Sequence, residues 1–174
     1  MKFRCATCGQ EHDLNAITFG ADRPVYWDGL TEKEKRRSVL GEEQCVIRGG
    51  GGQTHYFVLA CLEIPICGTD QTFAWGVWVS LSEESFTEMS DHWDDPARAE
   101  LGPYFGWLST RIPEYPDTVG LKTMVHNREI GVRPHVELEP TDHPLAVHQR
   151  SGMPEQAWKR IAAKLLHEHE QREA

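Results

Sequence analysis

The alternation of apolar and polar residues in the middle of the chain predicts a β-sheet built from hairpins. The strand-like segments QCVIR and THYFVLACLEIPI flank four glycines at residues 49–52. Glycine adopts positive φ without steric cost, so this run permits a tight reversal between two antiparallel strands. Residues 121–127 and 135–139 also alternate apolar with polar around Gly131, which predicts a second hairpin with one face in water.

Two long segments in the middle of the chain are apolar enough to be central strands: the second strand of the first hairpin and the segment that follows it. Residues 56–64 are apolar at both alternating sets of positions, which is typical of a strand covered on each face. Residues 73–81 predict the next strand, with Trp75 and Trp78 on opposite faces because successive side chains alternate.

A glycine run such as residues 49–52 is also typical of a phosphate-binding loop. These glycines, however, precede a strand, and no Lys-Ser or Lys-Thr follows them, so a hairpin is favoured.

Capping signals predict helices before and after these strands. Thr31 followed by Glu34 is a capping-box pattern, which predicts a short helix over about residues 32–40. Ser82 predicts a second helix that extends to about Trp93. Pro154 begins the last helix, and its apolar residues share one stripe that would dock on the sheet: Ala157, Trp158, Ile161, Ala162 and Leu165.

Hairpins with helices between them predict an α+β fold, an antiparallel sheet with helices packed on it, rather than a doubly wound parallel sheet. We expect residues 1–174 to form one domain, because a chain of 174 residues is an ordinary domain length. Within it, residues 1–45 would hold a zinc-knuckle-like segment and the first helix, residues 46–139 the sheet with inserted helices, and residues 140–174 the helical C-terminal part.

Composition narrows the classes of function. A net charge of -9 repels phosphate backbones, so nucleic acid is a poor expectation as partner. The basic cluster from Lys33 to Arg37 alternates with glutamates and is better explained as a solvated helix face. The sequence contains neither a membrane-spanning apolar run nor a signal peptide, so we expect a cytoplasmic protein without a membrane partner. Its five cysteines are then thiols or metal ligands rather than a disulfide framework.

The N-terminal segment CATCGQEH predicts a structural zinc site. Cys5, Cys8 and His12 follow the spacing Cys-x2-Cys-Gly-x2-His. A two-residue gap aims two thiolates at one ion, and Gly9 permits the positive φ that closes such a turn. Free thiols, a redox pair, or a surface His12 with another ligand remain alternatives. A redox pair is disfavoured because nothing helical is predicted after Cys8.

Tetrahedral zinc needs a fourth ligand, and the chain has no second Cys-x2-Cys. Cys45 is the candidate that we favour, because it begins a strand and has no obvious core partner. Cys61 lies in the middle of an apolar strand, where a buried thiol behaves as a small hydrophobic residue.

Four longer segments resemble a known family when they are taken together: CATCGQEHD, IPICGTDQTFAWGVWVSLSEESF, PYFGWLSTRIPEYPDTVGLKTMVH and VELEPTDHPLAVHQRSG. The chain is similar to the bacterial domain-of-unknown-function 2199 family from about Cys5 to Gly152. The resemblance implies a single bacterial domain and brings no established activity. It also implies a cysteine at the position of Cys45, which favours zinc. The glycines at residues 49–52 form a longer turn than the family pattern implies, so this loop is a poor place for a shared function.

Two clusters suit chemistry or binding. Four histidines and Asp142 fit a catalytic metal or a general base, although no known spacing supports this: His126, His135, His143 and His148. The simpler interpretation is that Asp142 caps a short helix that begins at His143. Aromatic residues near turns are suited to line a ligand site, although core packing explains them at least as well. The ligand-binding candidates are Trp75, Trp78, Trp107, Arg111 and His143.

The sequence therefore favours a zinc-stabilised, non-catalytic bacterial protein that binds a protein or a small ligand. The alternative is a small metal- or His-dependent enzyme that uses His126, His135, His143 and His148. Convergence of these imidazoles in one cleft would favour the enzyme.

Overall fold

The structure, a computed structural model, describes the backbone of residues 2–4, 9, 11–13 and 19–173 and the side chains of residues 9 and 19–165. The strands are β1 (Lys2–Arg4), β2 (Glu11–Asp13), β3 (Phe19–Gly20), β4 (Val39–Leu40), β5 (Gln44–Arg48), β6 (Thr54–Pro65), β7 (Thr72–Leu81), β8 (Tyr104–Leu108), β9 (Lys122–His126) and β10 (His135–Leu138). The helices are α1 (Glu32–Arg37), α2 (Glu83–Asp91), α3 (Pro144–Ser151) and α4 (Glu155–Glu173). None of the described helices is both long and apolar enough to cross a membrane.

Five consecutive strands, β6 to β10, form a closed barrel. Each strand pairs antiparallel with the next, and β10 returns to pair parallel with β6 at His135 and Cys61. The parallel closure follows from the odd number of strands, because a fifth strand that reverses at every step runs in the direction of the first. The α+β class is confirmed. The predicted antiparallel pairing is present in every barrel pair except β10–β6, but closure into a barrel, which removes both edges of the five strands, was not predicted.

The barrel interior is filled by alternate side chains of its strands. Four side chains of β6 are completely buried and belong to one apolar cluster with residues of the other four strands: Val58, Ala60, Leu62 and Ile64. The apolar stripe of α4 docks on the same cluster, as the sequence predicted, and it buries Trp158, Ile161 and Ala162. Five strands leave space only for side chains, so this interior is a packed core and not a binding cavity.

A second apolar cluster covers the outer face of β5, β6 and β7. Its buried members are Cys45, Ile47, Phe57, Leu59 and Trp78. The loop after β3 lies over it, with Ala21, Trp27 and Leu30 packed against these side chains. The prediction that residues 56–64 are covered on both faces is confirmed, because Phe57, Val58, Leu59 and Ala60 are all buried. An ordered loop, rather than a helix, supplies the outer cover.

Helix α1 is shorter than predicted. The capping box of Thr31 and Glu34 is present, with both reciprocal hydrogen bonds. The helix ends at Arg37 instead of Leu40 because Ser38 is extended and the next two residues pair with β5 as β4. The hydroxyl of Ser38 donates to the Glu34 carbonyl oxygen and accepts from the Arg48 N–H, which fixes this change of direction.

Candidate functional site

A cleft of about 390 Å³ lies beside the barrel, between the loop after β3 and the loop after β8. Its lining combines apolar and charged side chains. The apolar wall contains Phe19, Trp75, Ile112 and Leu165, and the charged residues are Asp22, Arg23, Asp28 and Arg111. Trp75 and Arg111, two of the predicted ligand-binding residues, therefore lie in one site.

Trp78 positions both loops of the cleft, although it does not line it. Its indole Nε1–H donates to the carbonyl oxygen of Ala21 at 2.8 Å. Its backbone N–H donates to the hydroxyl of Thr110, also at 2.8 Å. The two loops are joined directly where the N–H of Val25 donates to the Ser109 carbonyl oxygen at 2.9 Å. Trp78 was predicted to bind a ligand, but it is fully buried and instead supports the two loops that form the cleft.

The second loop is held from its far side by Thr118. Its buried hydroxyl donates to the Thr110 carbonyl oxygen at 2.7 Å and accepts from the Ile112 N–H at 3.0 Å. Both backbone groups would otherwise be buried without a partner, which costs about 1–3 kcal/mol for each group. These bonds therefore fix the backbone on either side of Arg111.

Two glycines allow β3 to approach β7 closely at the floor of the cleft. Gly20 pairs with Gly76 in a parallel arrangement. A methyl group on Gly20 would lie 2.9 Å from the Gly76 carbonyl oxygen, which is closer than van der Waals contact permits. Any larger residue at position 20 would separate the strands and displace the loop that carries Asp22.

Some charged and polar groups of the cleft have an ion-pair or hydrogen-bond partner, and others have none among the described residues. Arg23 and Asp28 form an ion pair at 2.8 Å. Asp22 and Arg111 are exposed, and neither has an ion-pair or side-chain hydrogen-bond partner within the described part of the chain. The indole Nε1 of Trp75 is shielded from water and also has no hydrogen-bond partner there. The cleft thus presents one negative and one positive charge without a described partner, and one residue of its wall, Trp75, has a buried N–H that also lacks one.

The four histidines of the enzyme hypothesis do not form one site. His126 and His135 are cross-strand neighbours on β9 and β10, with ring centroids 6.2 Å apart. A carboxylate oxygen of Glu137 lies within hydrogen-bond distance of His126 Nε2, at 3.2 Å, and would accept from it, whereas Glu63 lies 3.8 Å from His135 Nδ1, beyond hydrogen-bond distance. Burial lowers the pKa of His135, and Glu63 only partly opposes this effect. Arg128 binds the same Glu63 at 2.8 Å, so this carboxylate is already paired.

The other two histidines belong to α3. His143 is the N-cap of this helix, and its Nδ1 accepts from the Leu145 N–H at 3.2 Å. The sequence interpretation gave that role to Asp142, which was wrong by one residue because Pro144 occupies the first helical position. His148 lies within hydrogen-bond distance of the Tyr115 hydroxyl, with Nδ1 and the oxygen 2.9 Å apart. Both imidazoles have local structural partners.

Trp107 lies on the outer surface of β8 and does not line the cleft. It is 44% exposed and packs edge-on against Phe105, which is 48% exposed. The alternation of β8 explains this position, because Tyr104, Gly106 and Leu108 face inward. This aromatic pair and the cleft are separate features.

The proposed zinc ligands lie only partly within the described residues. Cys5, Cys8 and the side chain of His12 lie outside them, although the backbone of His12 is in β2. Strands β1 and β2 pair antiparallel on either side of this turn, and Gly9 has a φ of +71°. Among the described side chains, no group of three His, Cys, Asp or Glu residues is arranged to hold a metal ion.

Cys45 is fully buried in the second apolar cluster, and burial raises its pKa to about 12. The reason for preferring it over Cys61 was therefore wrong. Cys45 has core partners, including Phe57 across the β5–β6 pair, whereas Cys61 is partly exposed near charged residues. Periodicity did not reveal this difference, because the loop that covers Cys45 has no regular pattern.

Sequence reasoning missed the first loop of the cleft, which carries Asp22, Arg23 and Asp28. The loop contains turn formers and aromatics without a period. Its place depends on hydrogen bonds to Trp78 and Ser109, and both partners are distant in sequence. The charged residues themselves gave no signal that distinguishes them from ordinary surface charges.

The comparisons with known proteins identify a family but no function. The model of a family described as "Uncharacterized protein conserved in bacteria (DUF2199)" matches residues 4–153. No curated protein and no solved structure matches the chain.

Proposed function

Since the chain belongs to this family of uncharacterised bacterial proteins, it gains no activity from a relative, and we propose from geometry that it is a non-catalytic binding protein. Its ligand is a small organic molecule that occupies the cleft beside Trp75 and Arg111. A volume of about 390 Å³ lies within the range of about 300–1,000 Å³ that small-molecule sites occupy. An apolar wall with a few polar groups is also the usual composition of such sites.

The observation that carries this proposal is the presence of two exposed, oppositely charged side chains, Asp22 and Arg111, that line the cleft and have no partner among the described residues. A buried N–H without an acceptor costs about 1–3 kcal/mol, so the Trp75 indole makes the ligand-free protein less stable than it would otherwise be. The exposed guanidinium of Arg111 provides donors to a ligand in the cleft, and the Asp22 carboxylate provides acceptors.

Nuclear magnetic resonance of nitrogen-15-labelled protein tests the proposal. The titrants are small molecules of four classes: cationic, anionic, zwitterionic and neutral. Trp75→Phe and Trp107→Phe variants assign the two indole N–H resonances. We expect at least one class to shift the Trp75 resonance and the Ala21 and Thr110 amides while the Trp107 resonance stays in place.

The exposed Trp107 is the matched control, because it reports binding to a surface aromatic outside the cleft. A result in which no class shifts any cleft resonance contradicts the proposed function. So does a result in which only Trp107 and Phe105 respond, since that pattern describes adhesion to an exposed aromatic pair.

We also propose that the N-terminal segment holds a structural zinc ion through Cys5, Cys8 and His12, with Cys45 as fourth ligand. The ligand spacing, the antiparallel pairing of β1 with β2 and the positive φ of Gly9 support the first three residues. The assignment of Cys45 rests on its sequence position, because its described surroundings are apolar. In this proposal the ion supplies the positive charge that a buried thiolate needs.

Metal analysis of protein purified without added zinc tests this second part. We expect one zinc per chain, and loss of that zinc in a Cys5→Ser variant. Cys67→Ser is the control, because Cys67 is an exposed free thiol whose sulfur lies near the Ser151 carbonyl oxygen. Protein without bound metal, or zinc that survives Cys5→Ser, contradicts the site.

A further inference from the structure

The charges of the cleft specify the chemistry of its ligand. Resting on the proposed function, we propose that the cleft takes a zwitterion of amino-acid type. The ligand carboxylate binds Arg111, its ammonium binds Asp22, and its apolar side chain packs against the wall formed by Phe19, Ile112 and Leu165.

Asp22 and Arg111 line the same cleft without neutralising one another. No nitrogen of Arg111 lies within 4.0 Å of an Asp22 oxygen, whereas the neighbouring Arg23 and Asp28 meet at 2.8 Å. Two opposite charges separated across one cleft are complementary to a ligand that carries both charges. A guanidinium binds a carboxylate with two parallel hydrogen bonds, and a carboxylate accepts well from an ammonium.

The fold brings these two residues to the same rim. Each directly follows a residue that is hydrogen-bonded to Trp78, because Ala21 accepts from the indole and Thr110 accepts from the backbone N–H. The bond from Val25 to Ser109 joins the two loops a few residues away. Asp22 and Arg111 therefore emerge from backbone that the same buried side chain holds in place.

The balance of charge disfavours other ligand classes. The four charged residues of the cleft are two acids and two bases, so their formal charges sum to zero. Because Arg23 and Asp28 pair with each other, a phosphate or a dicarboxylate would bring two negative charges to one unpaired guanidinium, Arg111, with Asp22 lining the same cleft, and like charges at short range oppose binding. A cation would pair with Asp22 but would leave Arg111 as an unpaired like charge in the same cleft. A neutral molecule would leave both unpaired charges without a partner.

Isothermal titration calorimetry with matched probes tests the inference. The zwitterionic probes are L-phenylalanine, L-leucine and L-tryptophan. For L-phenylalanine, 3-phenylpropionate lacks only the ammonium, 2-phenylethylamine lacks only the carboxylate, and 3-phenylpropanamide carries neither charge. Titration extends to about 10 mM, so affinities down to a Kd of about 1 mM are measurable. We expect at least one zwitterion to bind at least about tenfold more tightly than each of its truncated analogues, because a charged hydrogen bond contributes about 1.5–3 kcal/mol.

Charge-removing variants assign each end of the ligand. Arg111→Gln should abolish the preference for the zwitterion over the amine, and Asp22→Asn should abolish its preference over the carboxylate. Arg36→Gln and Asp70→Asn are the controls, because both residues are exposed and lie outside the cleft lining. All four substitutions affect exposed side chains, and an unfolding curve for each variant verifies that the fold is retained.

The outcomes separate this inference from the proposed function. If truncated or neutral analogues bind the cleft as tightly as the zwitterions, the assignment of the ligand as a zwitterion is wrong, while the proposed binding function stands. Preferences that survive Arg111→Gln or Asp22→Asn overturn the assignment of the ligand ends. If no zwitterion binds, the inference falls, and if no class of titrant shifts a cleft resonance, the proposed function falls with it.

Discussion

The indole Nε1–H of Trp78 donates a 2.8 Å hydrogen bond to the carbonyl oxygen of Ala21, across the outer face of the barrel. This bond adds a directed link to the apolar packing between the second apolar cluster and the first loop of the cleft. Because the same residue also donates from its backbone to Thr110, packing of the cluster and geometry of the cleft are coupled. A substitution of Trp78 should therefore alter both the packing of the second apolar cluster and the geometry of the cleft.

Replacement of Trp78 by Phe should destabilise the protein and impair the cleft. The change removes the donor to Ala21 and leaves a void in a fully buried position. We expect the free energy of unfolding to fall by at least about 1–3 kcal/mol, the cost of one unsatisfied buried group, with a further loss from the void. Urea unfolding measures the change, and the amide resonances of Ala21 and Asp22 report the displaced loop.

Trp107→Phe is the matched control, because it is the same substitution on an exposed strand face. A surface change of this kind should stay within about 0.5 kcal/mol. Equal effects of the two substitutions would show that Trp78 has no special structural role.

Gly106 lies where β8 pairs with β7, and the packing there leaves no space for a side chain. A methyl group there would lie 2.5 Å from Val79 Cγ1 and 2.6 Å from the Ser80 carbonyl oxygen. One of these partners is backbone, so relief requires movement of a strand. Gly106→Ala should therefore lower the free energy of unfolding by about 1–3 kcal/mol or more, the usual cost of overpacking.

Urea unfolding of Gly106→Ala and Gly29→Ala gives the comparison. A methyl group on Gly29 meets no atom within 4 Å, so Gly29→Ala should be close to neutral. If Gly106→Ala is as stable as Gly29→Ala, the pairing of β7 with β8 described above is incorrect.

Local patterns predicted the elements of this fold well, but they did not predict its closure. The two hairpins and the burial of both faces of β6 follow from alternation and glycine placement, and all are present. Closure depends on a short parallel contact between His135 and Cys61, which includes a bond from the Cys61 N–H to the Pro134 carbonyl oxygen. A contact this short between distant segments leaves no periodic signal in the sequence.

The cleft was predictable only in part, for the same reason. Trp75 and Arg111 were identified as an aromatic and a charge near turns, and they do share the cleft. Asp22 was not identified, because its position depends on the buried Trp78 and not on its own neighbours. The same covering loop buries Cys45, which sequence alone described as a strand residue without core partners.

Cys45 provides a direct test of the fourth zinc ligand. If Cys45 is a ligand, the Cys45→Ser variant should lose the bound zinc, and its apparent free energy of unfolding should no longer change when a chelator is added. As a core thiol only, Cys45→Ser should place a hydroxyl in an apolar cluster and lower stability by about 1–3 kcal/mol while zinc stays bound. Metal content of the purified variant, with Cys67→Ser as control, separates the two outcomes.

Chelator treatment of the unchanged protein completes this test. Structural zinc contributes about 10–16 kcal/mol of apparent binding free energy, which is comparable to the whole stability of a domain. We therefore expect a large loss of stability on zinc removal. An unfolding curve that is identical with and without chelator contradicts a structural role for the metal.

His148 should make the protein less stable in mild acid. Burial lowers its pKa in the folded state, while an unfolded histidine titrates near about 6.5. The unfolded chain therefore binds the proton more readily. The contribution of His148 to stability is fully present above about pH 6.5 and is lost as pH falls through the lower folded pKa. Burial raises the pKa of Tyr115, so its hydroxyl stays protonated throughout and is able to donate to Nδ1 of neutral His148, which lies 2.9 Å away.

The substitution His148→Asn isolates this effect, because asparagine offers Tyr115 an acceptor that does not titrate in this range. The difference in unfolding free energy between the two proteins should be constant above about pH 6.5 and should shift in favour of the variant below it. His135, whose pKa is also lowered by burial, is present in both proteins and cancels in that difference. The exposed His55→Asn is the control. A difference that stays flat from neutral to acid pH would mean that His148 titrates alike in the folded and unfolded chain, and the buried Tyr115 contact would then be absent in solution.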